Sequence, residues 1–210
     1  GVFRKGRFFF MACRTRVWLI RHGEIAGSGE FRYNGQTDVP LTGKGISQYR
    51  MLAERLKDTA VSACYSSDLS RCMDGAHILC AGRDIQPVPL PELRELSFGD
   101  WEGMTWSELE ERFPDDWRLR MEDFSGFRVP GGENLIDLRD RVLPAMQRIV
   151  SAHKDQQVAV VAHGGVNRII LLDALGAPLS AMFRIEQDYS SLNIIDYYAD
   201  GNPVVKLLNG

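Results

Sequence analysis

The chain has 210 residues, enough for one compact domain of about 100–200 residues but too few for two full-sized ones. Hydrophobic residues make up 44% and charged residues 25% of the sequence, values typical of globular proteins, which excludes a disordered, collagen-like or membrane-spanning chain. The 25 basic and 28 acidic residues give a net charge of −3, so no broad basic surface is available for nucleic acid or an acidic membrane.

The N-terminal residues and the cysteines contribute little to the predicted fold. Residues 1–14 combine basic side chains with an apolar run too short to span a bilayer, so we treat them as a tag or a flexible extension. A single domain is expected over residues 15–210. The 4 cysteines form no Cys-x-x-Cys pair, which argues against a zinc knuckle and is typical of free thiols in a reducing compartment. The expected location is therefore cytoplasmic.

The first half of the chain alternates short apolar runs with helical patterns. The run Val17–Ile20 is apolar at every position, which predicts a strand buried on both faces, as in a parallel sheet. After a loop over residues 24–40, Thr42 is a suitable N-cap for a helix with four apolar residues on one face: Ile46, Tyr49, Ala53 and Leu56. Val61–Tyr65 predicts a second strand, and the apolar stripe over residues 69–79 predicts a second helix.

Residues 87–132 do not follow this alternation. They contain five of the 9 prolines and three of the 4 tryptophans, which favours an inserted cap over a further strand–helix unit. Its aromatic residues are interpreted as the core of the cap, with a stacking wall for an aromatic leaving group as the alternative.

Regular patterns return after the cap. Apolar residues on one helix face extend over residues 135–149, and Pro144 among them predicts a kink or a local break. Val158–Ala162 predicts another buried strand, and a helix follows over residues 166–175. Two last extended segments predict an antiparallel hairpin, residues 192–197 and 204–208. Together these elements predict an α/β fold in three layers, with a mostly parallel sheet flanked by helices on both faces.

Polar residues follow three of the predicted strands, in the segments Arg21–Gly23, Ser66–Arg71 and His163–Gly165. Ligands of open α/β sheets bind at the carboxyl edge of the strands, so we expect these segments to converge. Arginine offers a fork of donors that matches phosphate, and histidine is a nucleophile or proton carrier near neutral pH. Glycine after each histidine lets a bulky anion approach the backbone. The sequence therefore predicts a phosphate pocket with a histidine nucleophile.

The spacing of these segments resembles the signature of the histidine phosphatase superfamily, in its phosphoglycerate mutase-like branch. The resemblance extends from about residue 16 to the end of the chain and comprises ordered blocks at Val17–Glu24, Tyr65–Arg71, Leu93–Glu95 with Phe98–Gly103, Pro130–Glu133 and Ala162–Gly165. An isolated Arg-His-Gly would be weak support, whereas five blocks in order are specific. The resemblance implies a phosphoglycerate mutase-like fold.

The resemblance also implies a role for each catalytic residue. His22 would attack phosphorus and become a phosphohistidine, while Arg21 and Arg71 would hold the phosphoryl oxygens. His163 would donate a hydrogen bond to the transferring group. Glu95 would protonate the leaving oxygen and then activate water. Because side chains would stabilise the phosphoryl oxygens, no metal and no cofactor are expected.

Further phosphate ligands are less well defined. Mutases of the family carry an asparagine six residues after the catalytic histidine, where this chain has Ser28. Asn34 lies out of register with that asparagine, so Ser28 and Asn34 both stay open as ligands. Gly35 and Gly164 complete the predicted phosphate-binding set, together with Arg21, Arg71, Glu95 and His163.

The loop after Asn34 separates the branches of the family. Residues 35–42 resemble the phosphatase branch, especially the α-ribazole-phosphate phosphatases, whereas mutases tend to have a tryptophan after the glycine and a longer chain. We therefore expect a metal-independent phosphatase that acts on a small phosphomonoester, with α-ribazole 5′-phosphate as a candidate. The alternatives are a cofactor-dependent phosphoglycerate mutase and, because Ser28 alters the pocket, a catalytically reduced phosphate-binding module. The expected partner is a small phosphorylated metabolite, and a homodimer stays open.

Overall fold

A computed structural model of the protein describes residues 14–210. The predicted extension over residues 1–14 therefore lies outside the described residues, except for Arg14, which begins the first strand. Within the described part, one sheet contains six strands: β1 (Arg14–Arg21), β2 (Val61–Ser66), β3 (Pro87–Pro89), β4 (Gln157–Ala162), β5 (Leu192–Tyr198) and β6 (Pro203–Leu207).

The strand order of the sheet is β3-β2-β4-β1-β5-β6. The first four strands pair in parallel, and β5 and β6 pair antiparallel to β1 and to each other. The predicted mostly parallel sheet and the C-terminal hairpin are thus confirmed. The helices of the described chain are α1 (Gly43–Arg55), α2 (Ser70–Cys80), α3 (Trp106–Arg112), α4 (Pro114–Glu122), α5 (Leu135–Ala152) and α6 (Gly164–Leu175).

The central strands are buried on both faces, which accounts for their uninterrupted apolar sequence. In β4, Val158 and Val160 belong to the apolar cluster that contains α5 and α6. Their neighbours Ala159 and Val161 belong to the opposite cluster, with α1 and α2. Because successive side chains of a strand point to opposite faces, this division produces three layers, as predicted.

The helix boundaries follow local chemistry. Thr42 caps α1, and its side chain accepts a hydrogen bond from the Gly45 N–H at 3.0 Å, as the sequence predicts. Asn134 and Asp137 form a reciprocal capping box at the start of α5. The helix then continues through Pro144 to Ala152, so the predicted local break does not occur.

The segment 87–132 differs in part from the predicted cap. Its first residues, Pro87–Pro89, form β3 at the edge of the sheet. An edge strand has a neighbour on one side only, so the missing N–H of a proline on the open side costs no hydrogen bond. The remainder contains α3 and α4 and encloses its own apolar cluster, whose buried members are Trp101, Leu109, Trp117 and Val129. These aromatic side chains therefore serve as a core of this segment, the interpretation favoured from the sequence.

The contact between α1 and α2 gives a test of the fold. A Cβ at Gly75 of α2 would overlap ring atoms of Tyr49, which is fully buried on α1. We expect Gly75→Ala to lower the free energy of unfolding by about 1–3 kcal/mol through overpacking, in spite of alanine's higher helix propensity. Urea unfolding measures this change.

Gly43→Ala is the matched control, because a Cβ at Gly43 meets nothing within 4 Å. It should leave the free energy of unfolding unchanged or slightly higher. A Gly75→Ala variant as stable as the wild type would contradict the packing described for α1 and α2.

Candidate active site

The register of the parallel strands brings the predicted polar segments together. Arg21 pairs with Ala162 across β1 and β4, so His22 and His163 leave the sheet side by side. Their ring centroids lie 5.2 Å apart in an edge-on arrangement. Arg71, at the start of α2, reaches the same point, and its Nε lies 3.3 Å from Nδ1 of His163. The predicted convergence at the carboxyl edge is confirmed.

His22 is held in a defined tautomer. It is 5% exposed, and its Nδ1 lies 2.8 Å from the carbonyl oxygen of Gly23. A carbonyl can only accept, so Nδ1 carries the proton and Nε2 keeps its lone pair. Burial lowers the pKa of His22 well below 6.5, and the positive charges of Arg21 and Arg71 lower it further. The ring is therefore neutral and able to act as a nucleophile.

Arg21 has a donor without a partner. One Nη donates to the carbonyl of Gln187, whereas Nε is enclosed and makes no hydrogen bond to any described residue. Buried donors in folded proteins are nearly always paired, so this one is available for an anionic oxygen. The guanidinium also lies over the ring of Tyr189, 4.3 Å from its centroid.

Tyr189 lies beside His22 and is not among the site residues predicted from the sequence. Its ring centroid lies 5.6 Å from that of His22. The next residue, Ser190, has a φ of +59° and donates its N–H to the carbonyl of His22 at 3.0 Å, which fixes the chain here. No motif marks this loop, so the sequence held no signal for Tyr189.

Arg71 is 2% exposed and is oriented by backbone carbonyls. Its two Nη atoms donate to Thr37 at 2.7 Å and to Gly35 at 2.6 Å. The Gly35 carbonyl thus positions Arg71. The predicted contact between Gly35 and phosphate stays a prediction. Gly35 has a φ of +49°, and a Cβ there would overlap the Glu102 carboxylate, so this loop conformation requires glycine.

His163 is fully buried and contacts protein through both ring nitrogens. Arg71 Nε can only donate, so Nδ1 of His163 accepts and Nε2 donates to Ser67 Oγ at 2.8 Å. Burial and the charge of Arg71 lower the pKa of His163 well below 6.5. The predicted hydrogen bond from His163 to a transferring group requires one of these contacts to be exchanged, and it stays a prediction.

Glu95 is fixed at the first turn of α6. Its Oε2 accepts from the N–H of Gly165 at 2.9 Å, and its Oε1 accepts from the N–H of Leu96 at 2.9 Å. A Cβ at Gly165 would overlap Oε1, so the glycine is needed for this approach. The carboxylate is half-buried, and its place in the pocket and its role in proton transfer stay predictions.

Gly164 lies between two guanidinium groups. A Cβ at this position would lie 3.4 Å from Arg21 Nε and 3.3 Å from Arg168 Nη1. Arg168 donates from Nε to the carbonyl of Ile185 at 2.8 Å, and burial together with Arg21 lowers its pKa. The sequence analysis missed Arg168, although a position four residues after Gly164 lies on the same face of a helix.

The two remaining candidates are less closely connected to the pocket. Ser28 is exposed, and its N–H donates to the carbonyl of Ile25 at 3.3 Å. Asn34 is half-buried, and its carbonyl accepts from the Thr37 N–H at 2.8 Å. Within residues 14–210, neither side chain forms a hydrogen bond, and both phosphate contacts stay predictions.

Neither a metal-binding cluster nor a membrane-spanning helix is found among residues 14–210. No three side chains of histidine, cysteine, aspartate or glutamate are grouped there so that they could hold a metal ion. None of the helices found in residues 14–210 combines the length and apolarity needed to cross a membrane.

Several known proteins are similar to this chain in sequence. A bifunctional protein of Mycobacterium tuberculosis is 34% identical over 196 residues, 93% of this chain and 54% of that protein. The chain thus spans about half the length of this mycobacterial relative. Metal-independent phosphoserine phosphatase of Arabidopsis thaliana is 33% identical over 196 residues, 89% of this chain and 82% of that protein. Relatives named as probable phosphoglycerate mutases also match.

The fold and the sequence motifs agree with a known family. The crystal structure of alpha-ribazole phosphatase from Shigella flexneri matches with a TM-score of 0.87 and 28% identity, covering 93% of this chain and 96% of that one. A family model described as histidine phosphatase superfamily (branch 1) matches residues 17–210. The resemblance found in the sequence motifs is confirmed, and the chain belongs to branch 1 of the histidine phosphatase superfamily.

Proposed function

We propose that this chain is a phosphatase that hydrolyses a small phosphomonoester through a phosphohistidine at His22. The observation that carries the proposal is the state of His22. Its Nδ1 donates to Gly23, so Nε2 presents a lone pair close to the guanidinium groups of Arg21 and Arg71. An unpartnered Nε on Arg21 supplies a donor for a phosphoryl oxygen.

In the first step, Nε2 of His22 attacks phosphorus and forms a P–N bond as the P–O bond to the leaving group breaks. Arg21 and Arg71 stabilise the charge on the equatorial oxygens, which is the main requirement of phosphoryl transfer. Glu95, in its acid form, gives its proton to the leaving oxygen, and an alcohol departs.

In the second step, water attacks phosphorus while the Glu95 carboxylate takes its proton. The P–N bond breaks, and inorganic phosphate and neutral His22 are released. Since guanidinium groups stabilise the phosphoryl oxygens in both steps, we expect turnover to persist in EDTA.

We propose a class of substrate, the small phosphomonoesters, and no single compound. One relative is named for phosphoserine and a similar structure for α-ribazole phosphate, which supports a small phosphomonoester, with α-ribazole 5′-phosphate kept as a candidate. Phosphoglycerate mutase activity is the second candidate, because relatives with that name also match. The two activities differ in product, since a mutase returns an isomeric phosphate ester.

His22→Ala should abolish turnover of p-nitrophenyl phosphate and labelling of the protein by a substrate with radioactive phosphate. The variant lacks the nitrogen that accepts the phosphoryl group. The measurement is rapid quenching in base, where phosphohistidine survives, followed by counting of protein-bound label.

His77→Ala, which removes an exposed histidine from α2, is the control and should behave like the wild type. Full activity of a pure His22→Ala preparation would overturn the mechanism. Formation of 2-phosphoglycerate from 3-phosphoglycerate with 2,3-bisphosphoglycerate, without release of phosphate, would favour the mutase. A wild type without turnover would favour a binding module.

The protonation of His22 gives a second prediction. A lowered pKa means that the neutral ring persists as the pH falls through 6.5. The unfolded chain binds a proton in that range and the folded chain does not, so the free energy of unfolding should fall by up to about 1.4 kcal/mol per pH unit for this residue. NMR correlation of the imidazole nitrogens, assigned with His22→Ala, should show protonated Nδ1 and unprotonated Nε2 at pH 6, where an ordinary histidine is mostly doubly protonated. A doubly protonated His22 ring at pH 6 would contradict this prediction.

Glu95→Gln should slow the hydrolysis of alkyl phosphates by about 100-fold to 10,000-fold, because glutamine cannot protonate an alkoxide. The loss should be much smaller for p-nitrophenyl phosphate in the step that forms the phosphoenzyme, since nitrophenolate leaves without a proton. Single-turnover kinetics with both substrates measure the difference.

Glu92→Gln, at a carboxylate paired with Arg148 on the surface, is the control. Equal losses for both leaving groups would exclude Glu95 as the proton donor.

A further inference from the structure

Tyr189, in the loop between α6 and β5, is an aromatic residue that the proposed reaction does not use. Its half-buried ring lies against the guanidinium of Arg21, whose Cζ is 4.3 Å from the ring centroid. At this distance the cation is attracted to the ring, because the quadrupole of an aromatic ring places negative charge on its face. Tyr189 therefore contacts the cation that is proposed to hold a phosphoryl oxygen.

The loop that carries Tyr189 is bonded to Arg21 on both sides of this contact. The Gln187 carbonyl accepts from one Nη of Arg21. The Ser191 carbonyl accepts from the backbone N–H of Arg21 at 3.1 Å. Residues before and after Tyr189 are thus tied to the same arginine, which keeps the ring beside its guanidinium.

The loop is also anchored to the core and to the C-terminal segment. The Gln187 side chain is 1% exposed, and its amide exchanges two hydrogen bonds with the Asn193 amide, both at 2.9 Å. Two further bonds join Asp188 to Asn209, at 2.7 Å from the Asp188 N–H and at 2.9 Å to the Asp188 carboxylate. Satisfied polar networks of this kind rigidify a segment, so the place of Tyr189 is set before a substrate binds.

The direction of the free donor of Arg21 depends on how its guanidinium is held. Nε is enclosed and has no hydrogen-bond partner in the described part of the chain. A guanidinium is planar, so a tilt of its plane would turn Nε away from a phosphoryl oxygen. The hydrogen bond to Gln187 does not by itself fix this tilt, whereas contact with the Tyr189 ring restricts it. Phosphoryl transfer depends on donors that are already in place, so this restriction favours the reaction.

We propose that Tyr189 is a positioning residue for Arg21, and that it acts through the attraction between its ring face and the guanidinium. The inference rests on the proposed phosphatase function. It assigns the contribution of Tyr189 to the ring and not to the hydroxyl group. Loss of the ring should lower kcat/KM by about 2-fold to 30-fold, the range expected for one cation–π contact.

The test changes the charge distribution of the ring while its shape is kept. Tyr189→Phe should retain most of the wild-type kcat/KM for p-nitrophenyl phosphate, because the ring face is preserved. Phenylalanine analogues with increasing numbers of ring fluorine atoms at position 189 should lower kcat/KM stepwise, since fluorine withdraws electrons from the ring face. Tyr189→Leu should show the full loss. Equal activity across the fluorinated series would assign Tyr189 to packing and overturn the inference, even if Tyr189→Leu failed to fold.

A double-mutant cycle tests whether Tyr189 acts through Arg21. Arg21→Met removes the guanidinium, so Tyr189→Leu should cause little further loss in that background. Single-turnover kinetics with p-nitrophenyl phosphate measure the four proteins of the cycle. An equal loss with and without Arg21 would overturn the inference, because Tyr189 would then act independently of this arginine.

Trp18→Leu is the matched control, because Trp18 is a half-buried aromatic residue on β1 that also contacts an arginine. Its ring centroid lies 5.9 Å from Cζ of Arg16. The variant should keep the wild-type kcat/KM at temperatures where it is folded. If the wild type hydrolyses p-nitrophenyl phosphate and the fluorinated series is flat, the role of Tyr189 is wrong and the phosphatase proposal stands. If the wild type has no turnover, the phosphatase proposal fails and the inference fails with it.

Discussion

The contact between Nδ1 of His22 and the carbonyl of Gly23 determines what the site can do. It places the ring proton on one nitrogen and leaves the other nitrogen with the lone pair that the proposed phosphohistidine requires. Burial and two nearby guanidinium groups keep the ring neutral, because an imidazolium would be both desolvated and repelled. A histidine in this state requires no additional base before it attacks phosphorus.

The fold places the other residues of the site around His22. Parallel pairing of β1 with β4 aligns the ends of both strands, so His22 and His163 follow them at the same height. Carbonyls of the loop after Asn34 orient Arg71, and the carbonyl of Gln187 orients Arg21. Among residues 14–210, neither Arg21 nor Arg71 forms an ion pair with a carboxylate, so the charge of both stays available to a phosphoryl group.

The sequence was sufficient to predict the layers, the parallel strands and the convergence of Arg21, His22, Arg71 and His163, because each follows from a buried apolar run that ends in polar residues. It did not predict β3, since a three-residue edge strand with two prolines has no strand pattern. Tyr189 and Gln187 approach the site from a loop without a motif, so only tertiary packing identifies them. Arg120 of α4 belongs to no motif, and its burial against Phe98 and Phe124 depends on tertiary packing.

The position of the phosphoryl group on the trapped phosphohistidine tests the central claim most directly. The enzyme is quenched in base during turnover, and ³¹P NMR with peptide mapping identifies the residue and the ring nitrogen. The geometry predicts phosphorylation of His22 at Nε2, because Gly23 occupies Nδ1. Phosphorylation at Nδ1, or on any other residue, would contradict it.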